Sequence, residues 1–162
     1  VPGMPSKSPS TSLKRPGADG LRVDVLAHGP TLGKSVPVPE LHWHAQTIPF
    51  YDYLLRDARQ AAVLAGGHCV PVMLPAPERL LWHKLYASTA RSGNTTKAQK
   101  DLLQAATLAA LLVEQDDVVL SASLVKAPPE LKRAARLRLS ALDKLLTPHP
   151  QALAQVKAAL RK

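Results

Sequence analysis

Six residues in this chain of 162 have the types and spacing for phosphate chemistry: Asp24, Lys84, Arg91, Lys97, Lys100 and Asp101. Moving a nucleoside phosphate requires carboxylates to hold Mg2+ and cations to neutralise a triphosphate. A lysine serves there as a point charge on phosphate or as a general acid on a pyrophosphate leaving group, and a nearby aspartate can orient it. Five of the six fall in one stretch, PERLLWHKLYASTARSGNTTKAQKDLLQA at 77–105. His83 stands beside Lys84 but faces another helical direction, so it ranks below it. Any basic α/β domain offers similar sets, so residue types alone leave a solvated basic surface as the plainer alternative.

The stretch at 77–105 reads as two helices around a polar break. Pro75 and Pro77 punctuate its start, and Leu80, Leu81, Lys84 and Leu85 lie near one stripe of a helix over about 77–91. SGNTT at 92–96 is the break, with Thr95 or Thr96 placed to cap the next helix. That helix, over about 96–114, carries Leu102, Leu103, Ala106, Ala109, Ala110 and Val113 as its expected core face. The pair is expected to form one wall of a phosphate-facing cleft. Asp24 lies in LRVDVLA at 21–27, whose alternation predicts a strand. Its β-branched neighbours Val23 and Val25 suggest a central, half-buried position. A carboxylate there needs a partner or a metal, and a local arginine or lysine answers that need as well as a metal does.

Elsewhere the punctuation is clear. Residues 1–20 read as a Pro/Ser/Gly-rich arm, in which Ser8, Ser10, Thr11, Ser12, Lys14 and Arg15 could touch phosphate. HGPTLGKS at 28–35 ends in Gly-Lys-Ser but is no P-loop: the glycine needed five residues before Gly33 is His28, and Pro37 and Pro39 follow instead of a helix. VPVPELHWHAQTI at 36–48 reads as extended with a turn at Pro39. His42 and His44 would share a face of such a strand, and His68 and Cys69 add candidate zinc ligands, but no zinc spacing completes the set. PFYDYLLRDA at 49–58 is amphipathic with Pro49 at its first turn. Two strands, 60–64 and 68–74, flank Gly66-Gly67, a dipeptide suited to a tight hairpin. The tail from 115 onward is helical, with starts at Asp116-Asp117, Pro128-Pro129 and Thr147-Pro148. Its apolar face of Leu131, Ala134, Ala135, Leu137, Leu139, Leu142, Leu145 and Leu146 is ringed by Lys132, Arg133, Arg136, Arg138 and Lys144, read as solvated surface.

Composition sets the bounds. At 46% hydrophobic and 20% charged, the chain can bury a core for one domain, or one domain with a tail. No apolar run of about 18 residues predicts a membrane span, and residues 1–20 lack the apolar segment of a secretory signal. The single Cys69 cannot form an internal disulfide, which favours a reducing, cytoplasmic setting. A net charge of +9 concentrates anions, whether nucleotides, nucleic acid or acidic partner proteins. A chain that begins at Val1 reads as processed or truncated.

The ordered segments STSLK, LRVDVL, VPVPELHWHAQTIPFYDYLL, VPVMLPAPERLLWHKLYASTAR and KAQKDLLQA together resemble a bacterial family. It is the Geobacter-type group of nucleotidyltransferase-fold proteins in the DNA polymerase β-like superfamily. These are distant cousins of minimal nucleotidyltransferases and of the nucleotidyltransferase partners in some toxin–antitoxin systems. The resemblance covers roughly 5–145, and P-x-R-L-x-x-H-K-L at 77–85 and K-x-x-K-D-x-x-Q-A at 97–105 are its most specific pieces. It implies an α+β fold: a partial mixed sheet with helices, then a C-terminal helical bundle. The expected layout is an arm at 1–20, a strand-rich part at 21–76 and a helical region at 77–162.

The resemblance also implies roles. Asp24 matches the third strand carboxylate of the superfamily's metal triad, a ligand for Mg2+ brought with the NTP. Lys84 and the Lys100-Asp101 pair match basic helix motifs on the nucleotide side, where Lys97 and Arg91 also stand. The superfamily's opening Gly-Ser and D-x-D do not occur in this chain. With Asp24 as the third carboxylate, the expected reading is the C-terminal portion of a nucleotidyltransferase-like protein, inactive without a complementary segment. The rival is a non-catalytic basic module binding nucleic acid or a partner protein, with Asp24 and Asp101 as plain ion-pair residues.

Overall fold

Val25 is where the first strand of the sequence changes partners. In the computed structural model, which describes residues 9–16, 22–91, 93–115 and 118–161, the Val25 N–H donates to Thr11 O at 3.0 Å and its carbonyl accepts from Gln46 N–H at 2.7 Å. The expected single strand over 21–27 is therefore two. Strand β2 (Arg22–Asp24) pairs antiparallel with β1 (Ser12–Lys14), inside the segment read as a loop. Strand β3 (Leu26–His28) runs parallel to β5 (Trp43–Ile48), which pairs antiparallel on its other side with β4 (Ser35–Val38). The expected central, half-buried setting of Asp24 is corrected: every residue of β2 is exposed, because a two-stranded ribbon has no second layer over it. β-Branched neighbours report a strand but not how many strands flank it. Residues 1–8 and 17–21, including Ser8 and Leu21, lie outside the described residues, as do Ser92 and the helix start at Asp116-Asp117.

The chain divides into two compact units, 1–52 and 53–162. In the first, Thr47 of β5 is buried and its hydroxyl donates to Thr31 O at 2.5 Å and accepts from Lys34 N–H at 3.1 Å. Gly29 lies against it so closely that a Cβ there would stand 2.5 Å from Thr47 Cγ2. Only glycine lets the loop after β3 lie down on β5. A 3-10 turn at Pro39–Leu41 ends on His42 in the left-handed region at φ 46°, outside the strand that holds His44. The shared face expected for these two histidines is corrected accordingly. Among the described residues no three His, Cys, Asp or Glu side chains group as metal ligands.

A five-residue helix, α1 (Tyr51–Leu55), precedes the hairpin of β6 (Arg59–Ala65) and β7 (His68–Leu74). Gly66 and Gly67 have φ of 56° and 78°, the paired positive values of a two-residue primed turn, and the register holds from Arg59 opposite Leu74 to Ala65 opposite His68. Five helices follow, counting those described: α2 (Pro77–Ala90), α3 (Thr95–Gln115), α4 (Val118–Val125), α5 (Pro129–Leu145) and α6 (Pro150–Arg161). Pro77 and Pro129 open α2 and α5, where a missing N–H costs nothing. Asn94, not Thr95 or Thr96, caps α3: its Oδ1 accepts the Lys97 N–H at 3.0 Å. The whole is the expected α+β class, small sheets followed by helices. No described helix is long and apolar enough to cross a membrane.

Leu81, Trp82 and Leu85 of α2 form the centre of the helical unit, against Ala105, Ala106 and Ala109 of α3 and Leu131, Ala134 and Ala135 of α5. Alanines on the facing helices let α2 approach closely. The buried residues of α3 are Asp101, Ala105, Ala106, Ala109 and Leu112, of which Ala106 and Ala109 belong to the expected face. Leu103 is 57% exposed because Asp101, not a leucine, is drawn inward. Helix α5 is the tie of the bundle. The sequence pattern assigns its cations to solvated surface, yet three of them bond backbone carbonyls near the ends of other helices. Lys132 Nζ donates to Val125 O of α4 at 3.1 Å, and Arg136 Nη2 to Leu160 O of α6 at 3.2 Å. Arg138 donates from Nη2 to Ser88 O of α2 and from Nε to Ser88 Oγ, the latter at 3.1 Å. Such carbonyls lack intrahelical partners and carry the negative end of the helix dipole, so a cation answers both needs.

Candidate functional site

Lys84 and Arg91 are seven residues apart, which places them two turns from each other on one face of α2 and its C-cap. Asp101 faces them from the second turn of α3. Lys84 Nζ donates to Asp101 Oδ1 at 2.8 Å, and Arg91 Nη1 stands 3.1 Å from Oδ2. The second contact has ion-pair distance without hydrogen-bond alignment, so Oδ2 accepts no hydrogen bond from the described residues. The exposures differ in a way that matters: the Asp101 side chain is 4% exposed, Lys84 26% and Arg91 34%. A buried carboxylate thus holds two cations whose outer parts reach solvent. One negative charge cannot neutralise two positive ones, so the outward face of this cluster is cationic.

The structure brings together Lys84, Arg91 and Asp101 from the residues singled out in the sequence. Lys97 and Lys100 lie on the exposed first turns of the same α3 and make no ion pair with a described residue. Asp24 belongs to the first unit. Its Oδ1 accepts from Ser12 Oγ at 2.5 Å and from Arg22 Nε at 2.7 Å, and Arg22 Nη2 also donates to Ser12 Oγ at 2.9 Å. The local arginine raised as a partner for Asp24 is Arg22. His83 is buried, with its ring 6.1 Å from that of Tyr86. Burial pushes the Tyr86 hydroxyl pKa up, with Glu130 adding to the rise.

A second polar cluster had no sequence signal beyond Arg79 in the P-x-R-L run. Arg79 is buried and pairs with Asp57 Oδ2 at 2.5 Å, while its guanidinium carbon sits 4.9 Å over the Tyr53 ring. Tyr53 donates its hydroxyl to Ser123 O at 3.2 Å, and Trp82 Nε1 donates to Ser123 Oγ at 2.8 Å. These bonds join α1, α2 and α4 across 41 and 70 residues of sequence, which no local pattern records. Burial raises the Tyr53 pKa to about 12, with the Arg79 charge pulling the other way.

That shift has a pH consequence. A hydroxyl held neutral in the folded state, with a pKa above its unfolded value near 10, contributes stability that is full below pH 10. The contribution is lost as pH rises towards 12. Denaturant unfolding followed from pH 9 to 12 should therefore show falling stability, and Tyr53→Phe should flatten the part of the fall that belongs to this group. An identical decline in both proteins would remove Tyr53 as its source.

A family model described as Nucleotidyltransferase matches residues 2–127 of this chain, which include Asp24 and the whole Lys84–Arg91–Asp101 cluster. No curated protein and no solved structure matches it.

Proposed function

The chain belongs to the nucleotidyltransferase family, and from that premise we propose that it carries part of a site transferring a nucleoside monophosphate from an NTP to an acceptor. The observation that carries the reading is the convergence of Lys84 and Arg91 on buried Asp101 within the matched residues. Membership implies a nucleotide substrate. Lys84, Arg91, Lys97 and Lys100 hold its phosphates, and Asp101 fixes Lys84 so that its remaining donors point outward as a preset charge.

Nucleotidyltransferases generally use a divalent metal, and Mg2+ is the ion that accompanies an NTP. Asp24 is suited to be one ligand: it is exposed, and Mg2+ commonly takes one or two carboxylates with the remaining positions on phosphate and water. Arg22 already neutralises part of its charge, and among the described residues no three His, Cys, Asp or Glu side chains group as metal ligands. The remaining ligands are assigned to a complementary segment. Bound there, the ion would neutralise charge that develops on the transferring phosphoryl group.

The hairpin supports that assignment. Val63, Leu64, Val70, Met73 and Leu74 are all more than half exposed, on both faces of a ribbon that is marginal alone in water. Apolar strand faces of this kind suit coverage by further sheet. The rival reading, a basic module for nucleic acid or a partner protein, would draw on the same exposed cations, of which Lys132 and Arg136 also bond helix carbonyls. A cytoplasmic setting completes the reading, since Cys69 is an exposed free thiol suited to reducing conditions.

The test is transfer of labelled nucleotide by the full-length protein with Mg2+-NTP. Asp24→Ala should abolish transfer, and Lys84→Ala should weaken nucleotide binding. Transfer that survives both substitutions unchanged would remove these residues from the site. Strongly salt-dependent RNA or DNA binding with no transfer would favour the rival.

A further inference from the structure

We propose that the cavity of about 320 Å³ bounded by Arg91, Thr95, Ala98, Gln99, Leu102 and Arg138 is a subsite for a phosphate or diphosphate group of a nucleotide. Arg138 lies on α5, beyond the residues that match the family, so membership does not assign it a role. Both guanidinium groups have partners outside the lining. Arg91 is held by Asp101, and Arg138 by the hydroxyl and carbonyl of Ser88. Each keeps donors in reserve: Arg138 Nη1, and Arg91 Nε and Nη2, bond no described residue.

Among the described residues no carboxylate lines the cavity. Two arginines therefore share the lining, with Asp101 paired to Arg91, and that arrangement favours a multivalent anion. Arginine's planar fork suits the oxygens of phosphate in particular. Ala98 and Leu102 add apolar lining, and Gln99 and Thr95 add neutral polar groups. The volume is at the small end for ligand sites and has room for one or two phosphoryl groups. The first turn of α3 runs along the wall through Thr95 and adds its dipole to an attraction the arginines already establish.

The inference extends the nucleotidyltransferase reading only in naming a nucleotide as the source of the phosphate. Binding of the bare ions does not depend on it. The experiment is calorimetric titration of the 162-residue chain with pyrophosphate and with inorganic phosphate, at low salt and without metal. Saturable binding is expected, tighter for pyrophosphate and weakened by added salt. Arg138→Gln should weaken it about tenfold or more, the usual loss on removing a charge-assisted donor.

Because Arg138 also caps α2, that variant is paired with Gln99→Glu. This change puts a carboxylate at the cavity from an exposed position near a helix N-terminus, where an acid favours folding. It should weaken pyrophosphate binding by a similar factor with an unchanged melting midpoint. Lys157→Gln, which removes a cation on α6 away from the cavity, should leave binding unchanged. Absence of saturable binding would overturn the subsite, as would equal affinity in Gln99→Glu or an equal loss in Lys157→Gln. Pyrophosphate binding in a full-length protein that transfers no nucleotide would sustain the subsite while sinking the transferase reading. Transfer with no pyrophosphate binding would do the reverse.

Discussion

Lys84→Met is expected to destabilise the helical unit by about 2–3 kcal/mol, whereas Asp101→Leu should cost within about 1 kcal/mol. The two changes break the same 2.8 Å bond, so the difference must come from what each leaves behind. Without Lys84, Asp101 stays buried at 4% exposure with Arg91 alone, poorly aligned at 3.1 Å. A buried charge short of a partner is the expensive outcome. Without Asp101, both cations can turn into water, since 26% of Lys84 and 34% of Arg91 is already exposed. Leucine fills the space of the lost carboxylate on a face otherwise made of alanines and Leu112. Methionine keeps the helix propensity of lysine, which leaves the charge as the main variable. Urea unfolding of the two variants and the double mutant would measure the coupling. Equal costs for the two single changes would show that the exposure asymmetry has no energetic meaning. Under the proposed function, Asp101→Asn should stay folded yet weaken transfer by the full-length protein, because an amide no longer holds Lys84 as a fixed cation.

Trp82→Ala should lower stability by about 3–5 kcal/mol, the range for deleting a buried aromatic ring. Trp82 is fully buried in α2, the helix against which α3, α4 and α5 all pack, so the void opens where those helices meet. Ser123 does not add much to the cost, since its hydroxyl still donates to Leu120 O at 3.0 Å when the indole N–H is gone. Against a typical total of about 5–15 kcal/mol, such a loss brings a small helical unit close to unfolding. Trp82→Phe retains most of the volume and forfeits the indole bond, so it should cost less. Loss of helical circular dichroism in urea reads both. A cost below about 1 kcal/mol for the alanine variant would mean that the bundle centre lies elsewhere.

The parts of the fold legible in sequence were those specified over a few residues. Gly66-Gly67 announced the β6–β7 hairpin because a two-residue turn with both φ positive asks for that residue type. Pro77 and Pro129 marked helix starts for an equally local reason. The α3 cap was misplaced by one residue: Asn94 and Thr95 are both good caps, and only the observed bond chooses between them. Of the core face expected for α3, Ala106 and Ala109 are buried, yet Leu103 is exposed and Asp101 is buried in its place. Hydrophobic periodicity cannot register a carboxylate drawn inward by two cations on another helix.

The stretch at 77–105 shows where the division lies. Its sequence alone determined two helices, a polar break between them, a cationic excess and a resemblance that the family match supports at the level of nucleotidyltransferases. Tertiary structure decided what those charges face. Asp101 meets Lys84 across 17 residues and Arg138 meets Ser88 across 50, distances at which side-chain spacing in the sequence carries no geometry. Asp24 followed the same rule in the opposite direction. Its alternating, β-branched surroundings determined a strand, while the number of strands beside it, and so its exposure, was set by pairing at Thr11 and Gln46. Local propensity is a property of neighbouring residues. Burial and charge pairing belong to whichever distant residues the packing brings near.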